Sequence, residues 1–212
     1  SDPAALTAAY VAEELGLPTN PYNSVEILSH KNSFREYLHT HGFHCPKTYC
    51  CPISEFSLER LDDFSFPVIV KPIDSSGSKG VTVVADRGQL ADVITKADSF
   101  SREKKIIVEE FIEKSHPFQV GGDIFVSNGK IVIWGLLNCH RSTVVNPLVP
   151  IGKSYPLRLD EESIKKVKAE LSRLLEALNI TMGAFNIEAI LDDKGNVYLI
   201  EVGPRNGGNM IP

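Results

Sequence analysis

The sequence lacks the patterns that would place it in a membrane, a secretory pathway or a metal-stapled scaffold. No apolar run approaches the roughly 20 residues that a transmembrane helix needs, and the N-terminus lacks a charged and apolar signal pattern. The four cysteines include no C-x-x-C pair, which argues against a structural zinc site or a disulfide framework. These absences predict a cytoplasmic protein that does not act at a membrane.

Positive charge is also scarce. The 22 lysines and arginines are outnumbered by 27 acidic residues, a net charge of −5, so no overall basic surface indicates nucleic-acid binding. The sequence contains neither a P-loop nor a Rossmann fingerprint, and no Ser-His-Asp or Cys-His arrangement stands out. The 212 residues, 42% of them hydrophobic, suffice for one or two globular domains with a sizeable core.

Two glutamates lie in neighbouring apolar, β-rich runs late in the chain. Glu188 lies in AFNIE and Glu201 in YLIEV, and the DDKGN segment between them is typical of a hairpin turn. Carboxylates that face each other across two strands repel, so the pair indicates either an intervening cation or two solvent-facing side chains. Because Mg²⁺ takes one or two carboxylates together with substrate phosphates, the pair is a candidate metal site.

A glycine-rich loop lies between two predicted strands upstream. The strand FPVIVKP contains Lys71 near its end, the loop IDSSGSKG follows, and the second strand is VTVV. Small loop residues let backbone N–H groups approach phosphate oxygens closely, and a lysine adds positive charge. This arrangement predicts a flexible hairpin that folds over a nucleotide.

The remaining pattern alternates between helices and strands. Helices are predicted at 4–15, 25–28, 31–40, 57–61, 88–96 and 160–178, the last with Asp160 as its N-cap. Further strands are predicted at 45–49, 105–111, 118–126 and 131–137, with Asn128-Gly129 as a hairpin turn. The fold class is therefore α+β, with two lobes at about 46–115 and 116–212 and a nucleotide between them.

The order of these parts resembles the ATP-grasp superfamily over nearly the whole chain, and most of all its carbamoyl-phosphate-synthetase-like and phosphoribosylglycinamide-synthetase-like ligases. The resemblance rests on Lys31, Lys71, the loop 75–80, the VEEFI segment 108–112, Glu188, Glu201 and the GPRNGG segment 203–208. It implies an ATP-grasp fold in which 1–45 ends a pre-ATP-grasp domain and provides linker helices. Residues 46–115 would form lobe A, with the glycine loop and the hinge, and 116–212 lobe B, with the metal-binding acids.

The resemblance also implies ATP and Mg²⁺ (or Mn²⁺) as cofactors and assigns roles to residues. The phosphates would be held by Lys31, Lys71, Ser76, Gly77, Ser78 and Gly80. The adenine would meet the hinge, through a carboxylate or backbone carbonyl and the Ile112 N–H; the hinge residues are Glu109, Glu110, Phe111 and Ile112. His116 falls near the ribose position, Glu188, Glu201 and Asn206 would bind metal, and Arg205 would join Lys71 in catalysis.

Two positions depart from the family pattern. Gly203 stands where relatives usually carry a metal-binding asparagine, so Asn206 is a substitute ligand by hypothesis, with Asn209 as an alternative. His116 stands where relatives often carry a ribose-binding glutamate. Beyond the family motifs, His140 and Arg141 follow a predicted strand, where they either face a substrate or form a polar cluster at the strand end.

The implied reaction is an ADP-forming ligation, in which a carboxylate activated as an acyl phosphate is attacked by an amine or a similar nucleophile. The partners would be small-molecule carboxylate and amine substrates, and the full-length protein would be a homodimer. The alternatives are a degenerate or non-catalytic ATP-binding module, which Gly203 favours, and an ATP-dependent phosphotransferase. The termini, SDP at the start and IP after a glycine-rich stretch, predict a piece of a larger enzyme.

Overall fold

A computed structural model describes residues 2–75, 78–142, 148 and 150–207. Three helices come first: α1 (Asp2–Glu14), α2 (Tyr22–Ser29) and α3 (Lys31–Thr40). No helix of the described residues is long and apolar enough to cross a membrane. The α2 helix begins earlier than predicted, directly after Pro21, and α3 has the predicted bounds.

The first sheet has four antiparallel strands in the order β1-β4-β2-β3. They are β1 (Thr48–Pro52), β2 (Val68–Pro72), β3 (Thr82–Val84) and β4 (Lys105–Glu110). Its core face packs against α4 (Leu90–Asp98), where Leu90 and Ile94 meet the buried Val70 and Val108. The opposite face carries Lys71 and Glu109, because side chains alternate along each strand.

The second sheet has five antiparallel strands in the order β7-β6-β5-β8-β9. They are β5 (Gln119–Ser127), β6 (Lys130–Arg141), β7 (Pro150–Ser154), β8 (Met182–Leu191) and β9 (Val197–Gly203). The predicted hairpin at Asn128-Gly129 joins β5 to β6, and both residues have positive φ, as a type I′ turn requires. β6 runs beyond its predicted end, and β7 was not predicted.

The helix α5 (Glu161–Ala177) covers the core face of the second sheet. Asp160 caps it as predicted, since its Oδ1 accepts a hydrogen bond from the Ser163 N–H at 2.8 Å. The buried stripe is Val167, Leu171, Leu174 and Leu175. Phe34 and Leu38 of α3 belong to the same hydrophobic cluster, so α3 packs with the second sheet. All strands of the first sheet precede residue 115 in the chain, and all strands of the second sheet follow it. The division into domains at 1–45, 46–115 and 116–212 stays a prediction.

Gly122 in β5 is a position that only glycine suits. Its φ is +131°, and an added Cβ would overlap the carbonyl oxygen of Gly135 on β6. We therefore expect Gly122→Ala to lower the free energy of unfolding by about 2 kcal/mol or more, as measured by urea denaturation. Gly129→Ala is the matched control, because φ is +73° there but a Cβ would meet nothing within 4 Å. Equal losses in both variants would contradict the clash.

Candidate functional site

Glu188 and Glu201 are direct cross-strand partners. In the β8–β9 pairing the two residues lie opposite each other, next to a register shift between Glu188 and Ala189. The turn that sets this register is held by Asp192, whose Oδ1 accepts hydrogen bonds from the N–H groups of Lys194 (2.9 Å) and Asn196 (2.8 Å). The sheet therefore brings together the two carboxylates that the sequence analysis singled out, on the face opposite α5.

Glu188 is contacted by two side chains, one from the adjacent strand β5 and one from β6, the strand beyond it. The Arg141 Nη2 lies 3.1 and 3.2 Å from its two carboxylate oxygens, and the Gln119 Nε2 donates to its Oε2 at 2.7 Å. The same Arg141 nitrogen donates to the Gln119 Oε1 at 2.8 Å, which closes a three-residue cluster. Arg141 lies within β6, not after it, and so points onto the face that carries the glutamates. Gln119 belongs to none of the motifs in the sequence.

The segment after β9 is tied back to the middle of the sheet. The Asn186 N–H donates to the Arg205 carbonyl at 2.7 Å, and the Gly207 N–H donates to the Asp123 Oδ1 at 2.7 Å. The Asn186 Nδ2 also donates to the Asp123 Oδ1, at 3.0 Å. Asp123 therefore fixes where the segment that carries Arg205 and Asn206 leaves β9. In the sequence, only the position of Asp123 directly after Gly121-Gly122 in a predicted strand sets this residue apart.

The Arg205 side chain lies next to Gly203. A Cβ added at Gly203 would lie 3.7 Å from the Arg205 Cζ, so the guanidinium lies against this residue of β9. The Arg205 Nη1 donates to the Asn206 carbonyl at 3.0 Å, and Asn206 itself is exposed. The position where relatives usually carry asparagine is thus adjacent to the arginine that the motif singles out.

Lys31 and Lys71 belong to different elements. The Lys31 Nζ, at the start of α3, donates to the Ser75 carbonyl at 2.7 Å, at the base of the glycine loop. Lys71 lies on β2, and its Nζ contacts the Glu109 Oε2 at 2.5 Å.

The end of the glycine loop contacts Leu148, which lies between β6 and β7 of the second sheet. The Ser78 Oγ donates to the Leu148 carbonyl at 2.9 Å, while Ser76 and Gly77 lie outside the described residues. Gly80 has φ +70°, and a Cβ there would lie 2.9 Å from both Phe100 and Pro72. Glycine is therefore required where the loop turns back into β3.

In the hinge segment 109–112 both glutamate side chains already have partners, whereas one backbone N–H has none among the described residues. Glu109 is buried between two cations, and the Glu110 Oε1 accepts a hydrogen bond from the Ser65 N–H at 2.8 Å. The Phe111 N–H donates to the Pro67 carbonyl at 3.0 Å. Within the described ranges the Ile112 N–H has no hydrogen-bond partner, so it is a donor available to a ligand.

His116 is a buried residue with a partner of its own. Its Nε2 accepts a hydrogen bond from the Leu191 N–H at 3.1 Å, at the end of β8. Burial lowers the pKa of the ring, which keeps this nitrogen unprotonated and able to accept. A ribose contact through Nε2 would require this hydrogen bond to break.

A cavity of about 480 Å³ opens beside Glu188 on the same face of the second sheet. Its lining combines small residues with one cation and one thiol: Gly122, Cys139, Pro150, Ile151, Gly152, Lys153, Asn186, Ile187, Glu188 and Gly207. Burial and the nearby Glu188 carboxylate raise the pKa of Cys139, so the thiol is protonated and a poor nucleophile.

The two glutamates fit a magnesium site that substrate phosphates complete better than a site in which protein side chains supply every ligand. Among the described residues, no group of three or more His, Cys, Asp or Glu side chains is placed to hold a metal ion. Two opposed carboxylates are the set that Mg²⁺ uses when phosphates and water complete its octahedron.

Comparisons with known proteins bear on the family and the fold of this chain. A profile of the ATP-grasp domain matches residues 64–212. The chain is 27% identical, over 92% of its length, to the carbamoyl phosphate synthase large chain of Thermotoga neapolitana, of which it spans 17%. It superposes on the L-amino acid ligase from Bacillus licheniformis with a TM-score of 0.77 at 27% identity, covering 98% of this chain and 48% of that one.

A third comparison shows the fold. The phosphoribosylglycinamide synthetase from Anaerococcus prevotii superposes with a TM-score of 0.73 at 23% identity, covering 100% of this chain and 51% of that one. The fold and the matched profile define a two-sheet, nucleotide-binding type of domain. The chain belongs to the ATP-grasp family, as its sequence predicted. Its α+β fold class is likewise confirmed.

Proposed function

We propose that this chain is the nucleotide-binding part of an ADP-forming ligase that activates a carboxylate and joins it to an amine or a similar nucleophile. The observation that carries the proposal is the direct pairing of Glu188 with Glu201 in a chain of the ATP-grasp family. Relatives named as a carbamoyl phosphate synthase and an L-amino acid ligase support this reaction class. The cytoplasmic location and the homodimer remain part of the proposal.

In the proposed nucleotide site, residues in and around the first sheet bind the phosphates and the adenine, and residues in and just after the second sheet bind the metal. Lys31, Lys71 and the loop with Ser76, Gly77, Ser78 and Gly80 would hold phosphates, and Glu110, Phe111 and the Ile112 N–H would meet the adenine. Glu188 and Glu201, with Asn206, would hold Mg²⁺, which offsets phosphate charge when bound. Glu109 is assigned to Lys71 and not to the adenine, because both its oxygens have cationic partners. His116 stays a prediction for the ribose.

The proposed reaction has two displacements. A substrate carboxylate oxygen forms a bond to the γ-phosphorus of ATP as the bond from that phosphorus to the β,γ-bridging oxygen breaks, which releases ADP. The amine nitrogen then bonds to the acyl carbon, phosphate leaves with the former carboxylate oxygen, and the amine gives up a proton. Lys71 and Arg205 would stabilise the negative charge that develops on the transferring group and on the tetrahedral intermediate.

Calorimetric titration with Mg²⁺ and the non-hydrolysable analogue AMP-PNP tests the nucleotide site. We expect binding to the unmodified chain and a loss of affinity of about 30-fold in Glu201→Gln, because a metal ligand is removed without a change of shape. Glu176→Gln, at an exposed residue of α5, is the matched control and should bind normally. Affinity that is equal with Mg²⁺ and with EDTA would contradict the metal role of Glu201.

Phosphate release separates the ligase from its alternatives. We expect release from Mg·ATP only with an acid and a nucleophile together, tested with bicarbonate plus ammonia and with pairs of L-amino acids. A stable phosphorylated product that forms without an amine would indicate a phosphotransferase. Nucleotide binding without turnover would favour a degenerate ATP-binding module, which the Gly203 substitution supports.

Arg141 provides a separate prediction, because metal and guanidinium compete for Glu188. Removing the cation should tighten metal binding, so we expect Arg141→Gln to bind Mn²⁺ about tenfold more tightly than the unmodified chain. Paramagnetic resonance of free Mn²⁺, without nucleotide, measures this. Arg141→Lys keeps the charge and should show little of the gain, and weaker Mn²⁺ binding in Arg141→Gln would refute the competition.

A further inference from the structure

Three charged side chains form a buried cluster where three segments of the chain meet. Arg35 of α3 is 4% exposed and Glu109 of β4 is 2% exposed, while the Lys71 side chain on β2 is 12% exposed. Charges this deeply buried are rare unless each is paired. The cluster therefore has a cost of desolvation that its partners must offset.

Glu109 uses a different oxygen for each cation. Its Oε1 accepts from the Arg35 Nε at 2.8 Å, and its Oε2 lies 2.5 Å from the Lys71 Nζ. Burial acts to raise the pKa of Glu109, but the two positive charges outweigh it and lower the pKa to about 2. The carboxylate is therefore ionised at neutral pH.

Arg35 also reaches the strand that carries Glu201. Its Nη2 donates to the Ile200 carbonyl at 2.9 Å, and its Nη1 to the Leu199 carbonyl at 3.3 Å, both on β9. One guanidinium thus connects α3, the first sheet and β9 immediately before the proposed metal ligand.

Arg35 determines the net charge of the cluster. Two cations and one anion leave a net charge of +1, and Lys71 is the most exposed of the three. Without Arg35, the Glu109–Lys71 pair would be neutral and would offer little attraction to a phosphate. At short range and away from bulk water, one unit of net charge has a large effect on anion binding.

We infer that Arg35 is a positioning residue for nucleotide binding: by neutralising Glu109, it leaves the positive charge of Lys71 available to a phosphate of the nucleotide. The inference rests on the proposed phosphate role of Lys71. It makes the phosphate-dependent part of nucleotide affinity depend on a side chain that does not touch the nucleotide. A merely structural ion pair would affect adenosine and AMP-PNP alike.

The test is a charge cycle on Arg35 and Glu109. The net charge of the cluster is +1 in the unmodified chain, 0 in Arg35→Met, +2 in Glu109→Gln and +1 in the double variant. Calorimetry with AMP-PNP and with adenosine should show AMP-PNP affinity at least about tenfold weaker in Arg35→Met, with adenosine affinity unchanged. The double variant should recover most of the AMP-PNP affinity. Arg87→Met, which removes an exposed pair with Asp62, is the matched control.

Each outcome decides between the inference and its alternatives. Equal losses for both ligands in Arg35→Met, or no recovery in the double variant, would overturn the inference and leave Arg35 a structural residue. If Arg35→Met does not fold, Glu109→Gln must bind AMP-PNP more tightly than the double variant, and the reverse order overturns the inference. If the unmodified chain binds AMP-PNP no better than adenosine, the proposed function fails first, and the inference fails with it.

Discussion

Replacing Arg205 by alanine is expected to lower kcat for phosphate release by about 100- to 1,000-fold, which is the usual cost of removing a group that stabilises developing negative charge. Arg205 lies two residues beyond the end of β9, and its carbonyl is fixed by the Asn186 N–H at 2.7 Å. Its guanidinium lies against Gly203, the last residue of β9, which is the strand that also carries Glu201. The backbone therefore holds this residue beside the end of β9, where the proposed function assigns its guanidinium to the transferring phosphate.

The kinetic pattern distinguishes a catalytic arginine from a binding one. If Arg205 acts on the transferring phosphoryl group or the tetrahedral intermediate, kcat falls while the KM for ATP changes by much less. Arg205→Lys keeps the charge but loses the planar fork, so an intermediate kcat is expected. Arg60→Ala, at an exposed arginine that precedes β2 in the chain, is the control. A kcat within threefold of the unmodified value, in Arg205→Ala, would remove Arg205 from the chemistry.

The sequence predicted the cross-strand pairing of the two glutamates because that pairing is local. Glu188 and Glu201 are separated only by a short hairpin, and the turn residues between them determine the register. The α5 helix was predictable for the same reason, since its cap and its apolar stripe lie within one continuous segment. These elements required no knowledge of distant contacts.

The buried charge cluster was not predictable from the sequence. Arg35 lies in KNSFREYLHT, where a charged residue looks like part of a solvated helix face. Its partners are 74 residues away at Glu109 and 164 away at Leu199, so its burial depends on tertiary packing alone. The family motif assigns Glu109 to the adenine hinge, through a carboxylate or a backbone carbonyl, and gives no sign of its side-chain contacts with Arg35 and Lys71.

The end of β6 shows a second limit. The prediction ended this strand at 137 because polar residues follow, but β7 pairs with the extension and Asn138 donates hydrogen bonds to Ser154 and Pro156. Those partners lie in and just after β7, a strand that was not predicted. Without it, polar residues after 137 indicated the end of a strand. The extension is what turns Arg141 toward Glu188.

Acid is expected to weaken the folded state through Glu109. Its pKa is about 2 in the folded chain and near 4.5 when unperturbed, so the unfolded state binds its proton first as the pH falls. The stabilisation is fully present above pH 4.5 and is lost as the pH falls through about 2. The loss attributable to this group is on the order of 3 kcal/mol, from a shift of roughly two and a half pKa units.

Glu109→Gln isolates this contribution. At pH 7 the variant should be less stable than the unmodified chain by about 3–5 kcal/mol, because Arg35 and Lys71 are left buried without their counter-ion. Urea unfolding at pH 7, 4.5 and 3, followed by fluorescence of Trp134, should show the gap between the two proteins closing as the pH falls. Other carboxylates with lowered pKa values, such as Asp74 and Asp192, titrate in both proteins and cancel in the difference. Parallel pH dependences would mean that Glu109 is not held ionised by its two cations, and the charge count on which Arg35's role depends would then be wrong.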